Sequence, residues 1–226
     1  MRSIATVNVR RSAAKRVMPF GDSITRGVGS TDELGYRSQL FSIAANAGKR
    51  IEWVGSAAYP ATAASTTVSG RQMSTLHEGR PGWSIIDGNP GTQGIASLLP
   101  APALDIAPDI ILLNVGVNDL NHLAEWGTTI EQRLDQLLTR IATYAPKVFT
   151  IVAKPTPYFS SSVPQWDAYQ AAVPGVVQSH IALGQRFGLV DMSVLLQTDT
   201  IDGVHPNDGG YLKMAQIWWA ALKDKL

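Results

Sequence analysis

Ile110-Ile111-Leu112-Leu113-Asn114-Val115-Gly116-Val117-Asn118-Asp119 runs from an almost wholly aliphatic segment into a small, polar turn. The apolar part is far shorter than the roughly 18 residues that a bilayer span requires. Bounded by Asp109 and Gly116, it reads as a buried strand. Similar short runs at Arg16–Phe20, Ile51–Val54, Val148–Val152 and Leu189–Asp191 bring the expected strands to five. Between them, Tyr36–Asn46 reads as a helix. Ile130, Leu134, Leu137, Leu138 and Ile141 mark a second at helical spacing, opened by a capping box of Thr128 and Glu131. A third runs from about Trp166 to Gly184, where Pro174 requires a first-turn position or a kink, and a fourth spans Asp208 to Lys223.

Strands alternating with helices call for a parallel sheet covered on both faces, because each crossover is right-handed and lies over one side or the other. No repeat, linker or low-complexity block interrupts the pattern. The expected organisation is one domain over residues 15–226 behind a basic arm over residues 1–14. In such sheets ligands bind beyond the carboxyl ends of the strands. Gly21-Asp22-Ser23, Gly116-Val117-Asn118-Asp119 and the loop holding Asp202 and His205 all fall there. Ser56–Gly82 is too long for a plain connection and reads as a substrate-facing loop.

Composition removes several chemistries. With 45% hydrophobic and 16% charged residues the chain is neither disordered nor collagenous, and no apolar run spans a membrane. Zero cysteines exclude disulfides, thiolate metal sites and a cysteine nucleophile. Arg2, Arg10, Arg11, Lys15 and Arg16 place five of the 19 basic residues in the first 20 positions, so the remaining body is net acidic and is no nucleic-acid surface. Ile4-Ala5-Thr6-Val7 is too short for the core of a secretory signal. The expectation is a cytoplasmic protein, or a secreted one whose signal has been removed.

Any covalent catalysis must use oxygen or nitrogen. Ser23 leaves a strand end, where a serine serves as nucleophile, turn former or helix cap. Thr25 stands where a G-x-S-x-G elbow needs its second glycine, which disfavours the ordinary α/β-hydrolase class. A serine base must come from His77, His122, His180 or His205, and only His205 has an acid placed at close range to orient it. In Asp202-Gly203-Val204-His205-Pro206 the carboxylate can accept from one ring nitrogen and leave the other facing a hydroxyl. The alternative is a helix-leading loop that merely contains both residues. Acyl transfer also needs oxyanion donors. The Asn118 amide and the Gly82 N–H qualify, although an Asx turn and a Pro-Gly turn would look the same.

Together these stretches resemble the SGNH, or GDSL-type, hydrolases. Gly21-Asp22-Ser23, Gly82, Gly116-Val117-Asn118-Asp119 and Asp202-Gly203-Val204-His205-Pro206 match that family's blocks in order and spacing across nearly the whole chain. The resemblance implies a flavodoxin-like three-layer α/β/α sandwich with a five-stranded parallel sheet. It also implies Ser23 as nucleophile, His205 as base, Asp202 as its orienter, and oxyanion donors from Ser23, Gly82 and Asn118. No metal and no cofactor are implied. His77-Glu78-Gly79-Arg80-Pro81-Gly82-Trp83 looks most like the acetylxylan-esterase branch, with Arg80-Pro81 departing from the His-Ser common there. Trp83, Asp22 and Tyr158 are the expected substrate contacts, and Tyr59, Trp126 and Trp166 are further aromatic candidates for stacking on sugar.

The activity implied is removal of short acyl groups, above all acetyl, from a carbohydrate or similar small-molecule ester through an acyl-serine. The expected partner is that ester alone, with no nucleic acid and no membrane span; the oligomeric state is left open. The same triad would also serve a lipase, lysophospholipase or thioesterase. An inactive sugar-binding module is the alternative outside enzymes.

Overall fold

The computed structural model describes residues 13–59, 65–88, 93–122, 127–161 and 163–226. The basic arm up to residue 12 and Trp126 lie outside them. The central strands are β1 (Lys15–Gly21), β2 (Ile51–Trp53), β3 (Ala57–Ala58), β6 (Leu76–Gly79), β7 (Ile110–Asn114), β8 (Phe149–Lys154) and β9 (Phe187–Asp191). They form one seven-stranded sheet in the order β3-β6-β1-β7-β8-β9, with β2 also paired to β1. Every pairing is parallel except β3 with β6.

The five strands read from the sequence are present and follow the flavodoxin order β2-β1-β7-β8-β9. Two more strands correct the count. β2 covers Lys15–Val17 of the edge of β1, and β6 continues that edge at Phe20 and Gly21. Among its described residues, Ser56–Gly82 is therefore more than a loop. It contributes β3, β6 and a separate hairpin of β4 (Ser65–Val68) and β5 (Arg71–Ser74). That hairpin closes on Ser69 and Gly70, both at positive φ as a two-residue turn between twisted strands requires.

Side chains of β7 alternate between two cores, as the strand period dictates. Ile111 and Leu113 join Met18, Phe20 and Val152 under α3 (Ile130–Tyr144) and α4 (Pro164–Ala182). Ile110 and Leu112 join Val17, Ile151 and Ala153 under α2 (Tyr36–Asn46) and α5 (Asp208–Leu222). This is the expected α/β/α sandwich. The capping box of α3 is one residue later than read: Thr129 accepts from the Gln132 N–H, and the Gln132 side chain accepts from Thr129 N–H. Pro164 takes the first-turn position of α4, and Pro174 lies inside that helix. Among the described residues no helix is long and apolar enough to cross a membrane.

Candidate active site

Three loops at the carboxyl ends of β1, β6 and β7 meet a fourth that precedes α5. After β1, Asp22 caps the short helix α1 (Ser23–Arg26) by accepting the Ile24 N–H at 2.9 Å. Ser23 thus occupies the first position of a helix, where backbone N–H groups have no partner within the helix. The expectation that Asp22 contacts substrate is wrong. Asp22 is 1% exposed, and burial lifts its pKa to about 7, helped by the nearby Asp119. Its carboxyl group is committed beneath the nucleophile candidate, out of a ligand's reach.

Ahead of α5, Ile201 N–H bonds back to His205 O, closing a tight loop. Inside it Asp202 Oδ1 accepts the Val204 and His205 N–H groups, while Asp202 Oδ2 lies 2.7 Å from His205 Nδ1. Partial burial would raise the Asp202 pKa, but these bonds outweigh it and hold the carboxyl below its usual range. An ionised acceptor at Nδ1 keeps the proton there and leaves Nε2 with its lone pair. Nε2 lies 2.9 Å from Ser23 Oγ. The structure therefore brings Ser23, His205 and Asp202 into one hydrogen-bonded line.

Residues that the sequence reading did not single out support this loop. The Phe159 N–H bonds to Gly203 O at 2.8 Å and Ser160 Oγ to Asp202 O at 2.9 Å. Gly203 adopts φ +83°, and a Cβ there would lie 2.9 Å from Ser160 N. Only glycine permits both the turn and that approach.

The oxyanion candidates sit on facing loops. Arg80-Pro81-Gly82-Trp83 is a type II turn, with Trp83 N–H bonded to Arg80 O at 3.1 Å and Gly82 at φ +79°. Proline suits its second position and glycine its third. Arg80 N–H anchors the turn to Gly21 O at 2.8 Å, beside the start of α1. Asn118 Nδ2 donates to Trp83 O at 2.9 Å, which uses one of its two protons and ties the second loop to the first. Deeper, Asp119 Oδ2 accepts the Ile85 N–H, and Arg133 bridges Asp119 Oδ1 to Ile86 O. Arg133 had a readable signal: it lies at i+3 from Ile130 and i−4 from Leu137, a charge on the apolar face of α3.

The other expectations divide. Trp83 is half-buried beside Gly82 with the Arg80 guanidinium 5.8 Å from its ring. Glu78, fully buried, holds Arg80 at 2.7 Å. Tyr158 is half-buried and packs on the α3/α4 core, one residue before the Phe159 strap. Tyr59 lies under the Arg26 guanidinium at 3.5 Å. Trp166 is no rim residue: it is 2% exposed and its indole N–H is spent on Thr156 O. His180 does have an acid partner, Asp135 at 3.0 Å, supplied by α3 and so invisible to local spacing. His77 is buried, accepts the Gly79 N–H at Nδ1, and is pushed down to about 3 by burial and by Arg37, Arg80 and Arg26. Among the described residues no three His, Asp or Glu side chains converge as a metal site would need.

A family model described as GDSL-like lipase/acylhydrolase matches residues 20–213. A multidomain esterase of Ruminococcus flavefaciens is 26% identical, the match covering 99% of this chain and 31% of that protein. An acetylxylan esterase of Xylanibacter ruminicola is 24% identical over 54% of this chain and 30% of its own length. The chain therefore spans about a third of the length of these curated relatives. Among solved structures, a family 3 carbohydrate esterase of Clostridium thermocellum superposes with TM-score 0.74 at 28% identity, covering 94% of this chain and 97% of that one. A family 3 carbohydrate esterase of Talaromyces cellulolyticus gives TM-score 0.74 at 25% identity over 93% and 97%.

Proposed function

The chain belongs to the GDSL-like lipase/acylhydrolase family, and on that premise we propose that it is a serine esterase that removes acetyl groups from a carbohydrate ester. The observation that carries this reading is the line from Ser23 Oγ to His205 Nε2 at 2.9 Å and from His205 Nδ1 to Asp202 at 2.7 Å. The turn that carries Gly82 is anchored one residue before Asp22, through Arg80 N–H to Gly21 O, and Asn118 is bonded to that turn at Trp83 O.

In this reading Ser23 Oγ attacks the ester carbonyl carbon while His205 Nε2 takes its proton, and Asp202 stabilises the imidazolium. The carbonyl oxygen becomes an oxyanion held by the Ser23 and Gly82 N–H groups and the second proton of Asn118. Each such donor is worth about 2.7–4 kcal/mol in the transition state. Collapse expels the alcohol, which takes the proton from His205, and leaves acyl-Ser23. Water, deprotonated by His205, then releases the acid and restores the serine. The half-buried Trp83 indole beside Gly82 favours a small acyl group. The carbohydrate portion of the reading is supported by the similarity to an acetylxylan esterase and to family 3 carbohydrate esterases.

A chain-length series of para-nitrophenyl esters, run beside acetylated xylan with Ser23→Ala as control, tests the proposal. Turnover of the acetyl ester above the octanoyl ester, with acetate released from the polysaccharide, is expected. Preference for octanoyl would replace it with the lipase reading, and silence toward every ester with the sugar-binding one.

A further inference from the structure

The two loops that carry Gly82 and Asn118 are locked together by an ion pair beneath the cleft that takes no part in the chemistry above. Asp119 is 0% exposed and Arg133 4%. Asp119 Oδ2 accepts the Ile85 N–H at 3.0 Å, and Oδ1 accepts Arg133 Nε at 2.6 Å. The same guanidinium donates to Ile86 O. One residue earlier, Asn118 holds Trp83 O. Successive residues of the β7 loop thus grip the glycine loop at Trp83 and Ile85, and α3 grips it at Ile86.

Taking rest on the esterase reading, we propose that Asp119 and Arg133 are positioning residues that set the distance between the Gly82 and Asn118 oxyanion donors. Stability alone is a poor reason for such a pair. Desolvating two charges cancels most of their attraction, and apolar replacements of buried pairs are often neutral or stabilising. Burial here is severe enough to lift the Asp119 carboxyl to about 6 despite its arginine partner. What an apolar pair cannot do is bind an N–H and a C=O at fixed points. Apart from this pair, the Asn118 bond to Trp83 O ties the glycine loop to the β7 loop, and an oxyanion hole is sensitive to shifts of well under 1 Å.

The test compares Asp119→Asn, Arg133→Gln and Arg133→Lys in the full chain. Active sites are titrated with a phosphonate ester so that rates refer to folded molecules. Two quantities are read: kcat and KM for para-nitrophenyl acetate, and the inhibition constant of a small alkylboronic acid. The boronic acid adds to Ser23 Oγ and presents a tetrahedral oxygen to the oxyanion donors, whereas ground-state ester leans on them far less. Asp119→Asn and Arg133→Gln are expected to lower kcat by about 10–100-fold and to weaken the boronic acid in parallel, leaving KM within about twofold. Arg133→Lys retains the charge but has no fork to span Asp119 and Ile86, so it is expected to recover part of the loss. If Asp119→Asn does not fold, Arg133→Lys carries the same comparison. Unchanged kcat and boronic acid affinity, or a rise in KM without loss of kcat, would overturn the proposal. A wild-type protein that neither hydrolyses the ester nor binds the boronic acid would instead sink the esterase reading itself.

Discussion

Ser23 Oγ and His205 Nε2 stand 2.9 Å apart although 182 positions separate them in the chain. The contact is made by the sheet. β1 delivers Ser23 at its carboxyl end, and the loop ahead of α5 folds back over the same edge, where Gly29 approaches the His205 Cβ and Pro206 O. A hydroxyl this close to an imidazole whose other nitrogen is held by Asp202 is poised to lose its proton.

The two partners of that hydroxyl are expected to differ in weight. His205→Ala removes the base and should cost about 10⁴–10⁶ in kcat, whereas Asp202→Asn keeps the base but favours the wrong tautomer and should cost about 10²–10⁴. Because its bonds hold Asp202 below the usual carboxylate range, it stays ionised from neutral to mildly acidic pH and imposes no inflection of its own there. Its contribution to stability is present above its unfolded pKa and is lost only as pH falls through the depressed folded one. Steady-state rates of the purified variants check the ranking. An Asp202→Asn enzyme of wild-type activity would contradict it, and Asp199 offers no substitute because Lys213 Nζ holds both of its oxygens at 2.8 Å.

Asp22 carries an opposite sign. Its folded pKa, raised from 3.8 to about 7, means that between those values the folded chain holds a proton the unfolded chain has released. Stability therefore falls as pH rises through this window, and the penalty is complete above it. Asp22→Asn retains an oxygen for the Ile24 N–H and removes the charge. It is expected to stabilise the fold by roughly 2 kcal/mol at about pH 8, with the gain vanishing near pH 4. Thermal unfolding at the two pH values is the check; a gain at acid pH instead would show that burial does not penalise this carboxylate.

How much of this was legible in the chain depends on how local each cause is. β7 was readable because a strand buried on both faces needs an unbroken apolar run, and Ile110–Asn114 has one. β6 was not, because its buried His77 and Glu78 look like a loop until the Gly79 N–H is placed on His77 Nδ1 and Ser56 and Arg80 on the Glu78 carboxylate. The α3 cap is ambiguous by one position because Thr128-Thr129 precedes Glu131-Gln132, so two boxes fit the same pattern and the structure uses the later one. Asp202 and His205 share a turn and could be paired on sight. Asp135 with His180, and Asp119 with Arg133, join separate elements, and nothing in their spacing announces the contact. The side chain of Asp22 is not legible from sequence because a residue beside a nucleophile can point either into the cleft or under the helix, and the Ile24 bond decides.

Gly203→Ala probes the support of the acid and base. At φ +83° with a Cβ 2.9 Å from Ser160 N and Oγ, alanine is strained and crowded at once, which should cost about 1–3 kcal/mol and displace Asp202 from His205. Ser160→Ala should be milder, since it removes one bond to Asp202 O and adds no clash. Denaturant unfolding together with kcat separates the two; equal, negligible effects would show that the strap is passive.

Trp83→Ala tests acyl selection. Removing the half-buried indole next to Gly82 is expected to shift the ratio of acetyl to octanoyl turnover toward the longer chain by about 10–100-fold, the scale on which a fitted pocket discriminates added methylenes. The ratio of kcat/KM values for the two para-nitrophenyl esters measures it. An unchanged ratio would remove Trp83 from the acyl site.

Acyl transfer through Ser23 is caught directly by rapid chemical quenching of the wild-type protein during turnover of para-nitrophenyl acetate. Peptide mass mapping of the quenched protein is expected to find one acetyl group, on the peptide bearing Ser23, and none in the Ser23→Ala protein, whose turnover should be abolished. An acetyl group on any other residue, or undiminished hydrolysis by Ser23→Ala, would rule out Ser23 as the nucleophile.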